Sequence, residues 1–127
     1  MIPINDLQNK IYVKLCELEN VKIYDEVIES TTMPFVNLAD YTLQYEEYKD
    51  DGYIFEWDIN IYSTYEGKKE VNNLLASIID KLLELNECKI NEKWEFIDVR
   101  FNNSNTSRSN EGFYSCNIKF IFEIGEV

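Results

Sequence analysis

Residues 53–64, with the sequence YIFEWDINIYST, decide the fold class. Large apolar side chains occupy every second position, whereas Glu56, Asp58 and Asn60 stand between them. This period of two is typical of a β-strand with one buried and one solvated face. Antiparallel sheets that are covered on one side contain strands of this kind. The stretch therefore predicts a sheet with a single packed face.

Two amphipathic helices are predicted on either side of this strand. The first begins after Pro3, and the second spans residues 67–85; both place apolar residues at steps of three and four. We expect the first helix to end near Asn20 and expect Ser63 or Thr64 to cap the second. At about 1.5 Å per residue, the second helix is long enough to cross a sheet.

The remaining apolar segments predict further strands, and the facing of one strand switches near Asp40, which predicts a bulge. The helices are separated along the chain while the strands pair as hairpins. We therefore predict an α+β fold, with two helices packed on one face of a mainly antiparallel sheet of about four to five strands. Besides residues 53–64, the predicted strands are residues 21–25, 35–48, 94–101 and 113–124.

Two polar connections are the candidate partner-binding elements. Residues 46–52 form a charged hairpin turn, and residues 102–112, NNSNTSRSNEG, contain no apolar side chain and predict a long loop. Such loops are either binding elements or disordered tips. Residues 102–112 contain Arg108, and arginine is enriched among the residues that anchor protein interfaces. We predict a protein–protein interface at the charged residues of these connections: Glu46, Glu47, Asp50, Asp51, Arg108 and Glu111.

The predicted strand at residues 94–101 carries apolar side chains on both faces. Trp94 and Phe96 alternate on one face, whereas Ile97, Val99 and Phe101 follow on the other. This pattern indicates either a central strand or a strand that a neighbouring subunit covers on one side. Trp94 and Phe96 therefore join the predicted interface.

The composition excludes several functional classes. The chain has 127 residues, which fit one domain (residues 1–127), and a net charge of −12 from 24 acidic and 12 basic residues. Such acidity disfavours binding to nucleic acid or to an anionic membrane, although a protein could surround DNA without gripping it. With no secretion signal and no long apolar run, we expect a soluble protein that is made in a reducing cytoplasm.

Catalytic and metal-binding motifs are missing from the sequence. It contains no histidine and four glycines, so the histidine-based nucleophile systems and the glycine-rich phosphate loops are excluded. Cys16, Cys88 and Cys116 form no zinc motif, and we expect buried thiols. Glu56 and Asp58 share a strand face and could act as an acid–base pair, although solvated carboxylates are the commoner case. We predict no enzyme activity, no cofactor and no metal.

Three segments follow one another in the first two thirds of the chain: residues 21–27 (VKIYDEV), 33–40 (MPFVNLAD) and 57–67 (WDINIYSTYEG), the last of which turns directly into the second helix. Together they resemble the phage tail terminator (tail completion) family. Ala39 departs from the family pattern, which has glycine there. The resemblance covers residues 4–85, and the last third of the chain matches only as strand, polar loop and strand.

This resemblance implies a non-enzymatic ring subunit, usually of a hexamer, in the tail or neck of a virion that is assembled in the bacterial cytoplasm. The ring would cap the head-proximal end of the tail tube, stop tube growth and dock the head–tail connector or stopper protein. Its implied partners are further copies of itself, the tail tube protein and, where the tail has one, a sheath, and DNA would pass through without specific binding. A closed ring needs a heterologous interface, for which residues 94–101 are the candidate.

Two alternative functions remain open at this stage. The chain could be another connector, stopper or tail tube subunit of the same kind of particle. It could also be a small enzyme or ligand-binding domain, which would need a concave site with converging polar groups.

Overall fold

A computed structural model of the chain describes residues 1–26, 32–46 and 52–127, and it confirms the α+β fold. Five strands form one sheet in the order β1-β2-β3-β5-β4, in which β1 is parallel to β2 and every other neighbouring pair is antiparallel. The elements in chain order are α1 (Ile4–Leu15), β1 (Lys22–Tyr24), β2 (Phe35–Glu46), β3 (Gly52–Ser63), α2 (Lys69–Leu83), β4 (Trp94–Arg108) and β5 (Tyr114–Glu126).

The core lies between the two helices and one face of the sheet. Strand β3 alternates buried and half-buried residues, as its period of two predicts, and its buried side chains stand level with those of β5. Each helix packs one apolar stripe onto this face. The fully buried helix residues are Leu7, Ile11 and Leu15 of α1 and Val71, Ile78 and Leu82 of α2.

Both helices are shorter than predicted, and the cap predicted for the second helix is absent. Helix α1 ends at Leu15, and turns carry the chain to Asn20, whose φ of 62° reverses its direction. Helix α2 starts one residue after Lys68, which makes no side-chain cap hydrogen bond. The Ser63 hydroxyl instead donates to the Glu70 carboxylate in the first turn of α2.

The predicted bulge in β2 is confirmed. Leu38 pairs with Ile59 and Tyr41 pairs with Trp57, so three steps along β2 match two steps along β3. The extra residue keeps Leu38 and Tyr41 on the helix-covered face. The Trp57 indole N–H donates to the Ala39 carbonyl oxygen at 3.1 Å, which fixes the bulge to the core.

Strand β4 lies at a sheet edge, so the central position considered for it is wrong. Two register shifts, after Phe96 and after Phe101, explain the apolar residues on both of its apparent faces. The first shift returns Val99 to the buried face and leaves Ile97 exposed. Simple alternation of residues cannot assign the two faces of a strand that contains bulges.

Candidate protein–protein interface

Residues 102–112 do not form the predicted loop. Residues 102–108 continue β4 and pair with β5 as far as Arg108, which stands opposite Tyr114. Only residues 109–113 connect β4 to β5, and within them the Ser109 N–H donates to the Phe113 carbonyl at 2.8 Å. The polar composition of this hairpin arm reflects its exposure on an edge strand rather than a lack of regular structure.

The arm carries Arg108 and Glu111, two of the predicted interface residues, and both are exposed. The Arg108 guanidinium lies 6.0 Å from the centre of the Tyr114 ring. Among the described residues, no carboxylate forms an ion pair with Arg108. An exposed arginine that rests on an aromatic ring, with its charge unpaired, is well suited to meet an acidic partner.

The other predicted connection is a hairpin, as expected, because Glu46 at the end of β2 pairs with Gly52 at the start of β3. Glu47, Asp50 and Asp51 lie outside the described residues. Their role at an interface therefore stays a prediction.

Trp94 and Phe96 lie in the chain's own core. Their side chains are 6% and 2% exposed, and their rings pack near Tyr53 and Phe122 at centroid distances of 5.9 and 6.1 Å. They offer no surface to a partner, because the sheet and helices already cover them. Any contact made by β4 must instead use its edge or its exposed residues.

Two stretches of sheet edge are open among the described residues. Strand β1 pairs only with residues 35–37 of β2, which leaves the outer side of residues 38–44, here called the β2 edge. At the far side of the sheet, the segment that follows α2 covers β4 as far as Val99, whose N–H donates to the Asn86 side chain. Residues 100–108 form the β4 edge. Open edges present unpaired backbone donors and acceptors that suit strand addition.

Each open edge also carries an exposed aromatic side chain on the helix-covered face of the sheet. Tyr41 is 41% exposed beside Trp57, and Phe101 is 39% exposed beside Phe120. The helices leave both rings partly uncovered. The periodicity predicts apolar strands here, but only the bulges and the strand order reveal that the two rings lie at opposite edges.

On the uncovered face, several carboxylates have partners in the same chain, as ion pairs or hydrogen bonds. The Lys119 ammonium lies 2.8 Å from Asp58, which raises the lysine pKa, and Asn102 donates to Glu56 at 2.9 Å. Similarly, Arg100 lies 2.7 Å from Asp98 and 3.4 Å from Glu123, and its pKa is raised chiefly by the hydrogen bond to Asp98. These contacts favour a structural role for Glu56 and Asp58.

The cysteines only partly follow the prediction. Cys116 is buried, and its burial raises the pKa of the thiol. Cys16 and Cys88 are exposed, so the expectation of burial is wrong for both. Cys16 directly follows the last residue of α1, and Cys88 follows the turn after α2, so neither thiol lies on the apolar stripe of a helix.

Within residues 1–26, 32–46 and 52–127, no three acidic or cysteine side chains cluster in a way that could hold a metal ion. No helix in the same ranges is long and apolar enough to cross a membrane.

Comparison with known proteins gives a match in structure but none in sequence. No family model matches the chain, and no curated protein matches it. Among solved structures, it resembles a chain from "Virion of native gene transfer agent (GTA) particle", with a TM-score of 0.81 and 15% sequence identity. The alignment covers 99% of this chain and 98% of that one, so the fold is shared from end to end.

Proposed function

We propose that the chain is a structural subunit of a phage-like particle, and specifically a tail terminator. Its copies would form a ring, a hexamer as in the family that the sequence resembles, on the head-proximal end of the tail tube. That ring would end tube growth and dock the head–tail connector.

The observation that carries this proposal is the end-to-end likeness in fold to a chain of a gene transfer agent virion. Residues 21–27, 33–40 and 57–67 support the finer assignment to a terminator, because they resemble motifs of the tail terminator family and follow one another in the same order. Fold alone does not define function, so the position in the particle needs a direct test.

The charge of the chain agrees with a place around a DNA channel. With a net charge of −12, its surface repels phosphates, and DNA could slide past without being held. The open β2 and β4 edges and the charged hairpin arm supply surfaces for other proteins.

Tail length is the decisive phenotype. We would inactivate the gene in the genome that encodes it, induce particle production and measure tails by negative-stain electron microscopy. If the chain is a tail terminator, loss of the gene should give tubes of uncontrolled length without heads. A plasmid copy of the gene should restore uniform tails.

Other outcomes identify the alternatives. Tails of normal length that fail to join heads would indicate a connector or stopper, and the absence of tubes would indicate a tube subunit. Normal infectious or gene-transferring particles would overturn the proposal and leave an enzyme or ligand-binding domain as the better explanation.

A further inference from the structure

We propose that copies of this chain join edge to edge, with the β4 edge of one copy added antiparallel to the β2 edge of the next. This inference deepens the proposed function by naming the surfaces through which the ring subunits would meet. It rests on backbone direction, side-chain facing and charge at the two edges.

The backbone of the β4 edge points outward at known residues. The Phe96 N–H donates away from β5 to the Cys88 carbonyl, and the Val99 N–H donates away from β5 to Asn86. Both side chains lie on the helix-covered face. Because side-chain direction and hydrogen-bonding direction alternate together along a strand, other residues of β4 on this face also point their N–H and C=O outward. Thr106, opposite Cys116, is one of them.

The same rule gives the direction of the β2 edge. Three antiparallel pairings separate β2 from β4, so the two strands run in opposite directions. The β2 residues on the helix-covered face therefore point their N–H and C=O groups towards the opposite edge of the sheet. Tyr41 and Leu43 are on this face, opposite Trp57 and Phe55. Their N–H and C=O groups therefore point out of the β2 edge.

These directions fit one another. If two copies stand side by side in the same orientation, as in a ring, β4 of one runs antiparallel to β2 of the next. Residues that pair between copies then lie on the same face, and the helices of both copies cover one continuous sheet. The exposed rings of Phe101 and Tyr41 also lie on that shared face, where pairing would bury part of each.

Charge selects this pairing over a two-fold one. The β4 edge contains no acidic residue, and its Arg108 forms no ion pair with a described carboxylate. Arg100 also lies on this edge, but Asp98 and Glu123 of its own chain already pair with it. The β2 edge contains Asp40 and no basic residue, and Glu46 follows it closely. Pairing β4 with β4, or β2 with β2, would bring like charges together, which destabilises cross-strand pairs. Pairing β4 with β2 brings opposite charges together.

Proline substitutions test each edge without breaking the sheet inside one copy. Leu43→Pro removes an outward N–H from the β2 edge, and Thr106→Pro removes one from the β4 edge; neither N–H serves the internal ladder. We expect each variant alone to associate at least about tenfold more weakly than the wild-type chain. Size-exclusion chromatography with light scattering would measure this, and circular dichroism would verify folding.

Mixing the two variants gives the sharpest result. Each keeps one intact edge, so an equimolar mixture should form a dimer of twice 15.1 kDa and no larger species. A dimer formed by either variant alone would overturn the proposal, because it would require a two-fold interface. Wild-type chain that stays monomeric up to about 1 mM would overturn it as well.

A charge reversal keeps the test valid if a proline variant does not fold. Arg108→Glu reverses the positive charge on the β4 edge, and Asp40→Lys reverses the negative charge on the β2 edge, so each should weaken association. Asp80→Lys, on the exposed side of α2, is the matched control and should leave association unchanged. Association of both edge variants as tight as that of the wild-type chain would contradict the paired edges.

The outcomes separate this inference from the proposed function. Rings that persist in the edge variants would refute edge pairing but leave the terminator function standing. Edge-paired assemblies from a chain whose loss leaves tail length unchanged would support the pairing and refute the terminator.

Discussion

The hydrogen bond between Trp57 and the β2 bulge should contribute measurably to stability. Trp57→Phe removes the donor to the Ala39 carbonyl at 3.1 Å and three ring atoms from a fully buried site. The hydrogen bond contributes about 1 kcal/mol. The lost ring atoms add about 1–2 kcal/mol through lost burial and a small cavity. We therefore expect the free energy of unfolding to fall by about 2–3 kcal/mol.

The second tryptophan supplies a matched control. Trp94 is also buried, but its indole N–H donates to none of the described residues, so Trp94→Phe should lose only the apolar part, about 1–2 kcal/mol. Urea unfolding followed by far-ultraviolet circular dichroism would measure both variants. If the two lose the same stability within about 0.3 kcal/mol, the bulge is not held by this hydrogen bond and our reasoning is wrong.

Three further predictions concern the helix contact, the thiols and the arm turn. Lys14 lies 2.9 Å from Glu84 and lowers its pKa below the ordinary 4.5, so this pair stabilises the fold above pH 4.5 and the contribution is lost as the pH falls. The melting temperature of Lys14→Gln should thus lie below that of the wild type at neutral pH, and the difference should narrow as the pH falls below 4.5 and Glu84 becomes protonated. A difference that does not narrow in acid would contradict this. A thiol reagent should modify Cys16 and Cys88 in the native chain and Cys116 only after unfolding, and rapid native reaction of all three would disprove the burial of Cys116. Gly112 has a φ of 91°, so Gly112→Ala should cost about 1 kcal/mol in urea unfolding, and an unchanged stability would mean that the turn adopts another conformation.

The elements with a strong apolar period were predictable from the sequence. Strand β3 and helix α2 are found close to their predicted places, because Phe55, Trp57 and Ile59 on one side and Val71 and Ile78 on the other each have one buried face. The bulge near Asp40 was also predictable, since the apolar residues change phase there.

The β4–β5 arm was not predictable from the same signal. Residues 102–108 form a strand because they pair with β5, whose apolar register is strong, and not because of their own composition. An exposed edge strand does not require alternating apolar residues, so its polar composition can be the same as that of a loop. The two shifts in β4 further hid that Trp94 and Phe96 belong to the core, so the interface prediction placed them on a surface.

The candidate interface could likewise be predicted only in part from the sequence. Arg108 could be singled out from the sequence because arginine is rare in this chain and the segment around it is polar. The open edges depend on the strand order, since β2 and β4 become edges only when β3 and β5 lie between them. Strand order in a mainly antiparallel sheet arises from pairing between distant segments, which the local pattern does not encode.

The position of the chain in a particle tests the central claim most directly. Cryo-electron microscopy of purified particles, at a resolution that separates strands, should show a ring of five-stranded subunits at the junction of the tail tube and the head connector. We predict that this structure fits that ring. Finding the chain elsewhere in the particle, or in no particle at all, would contradict it.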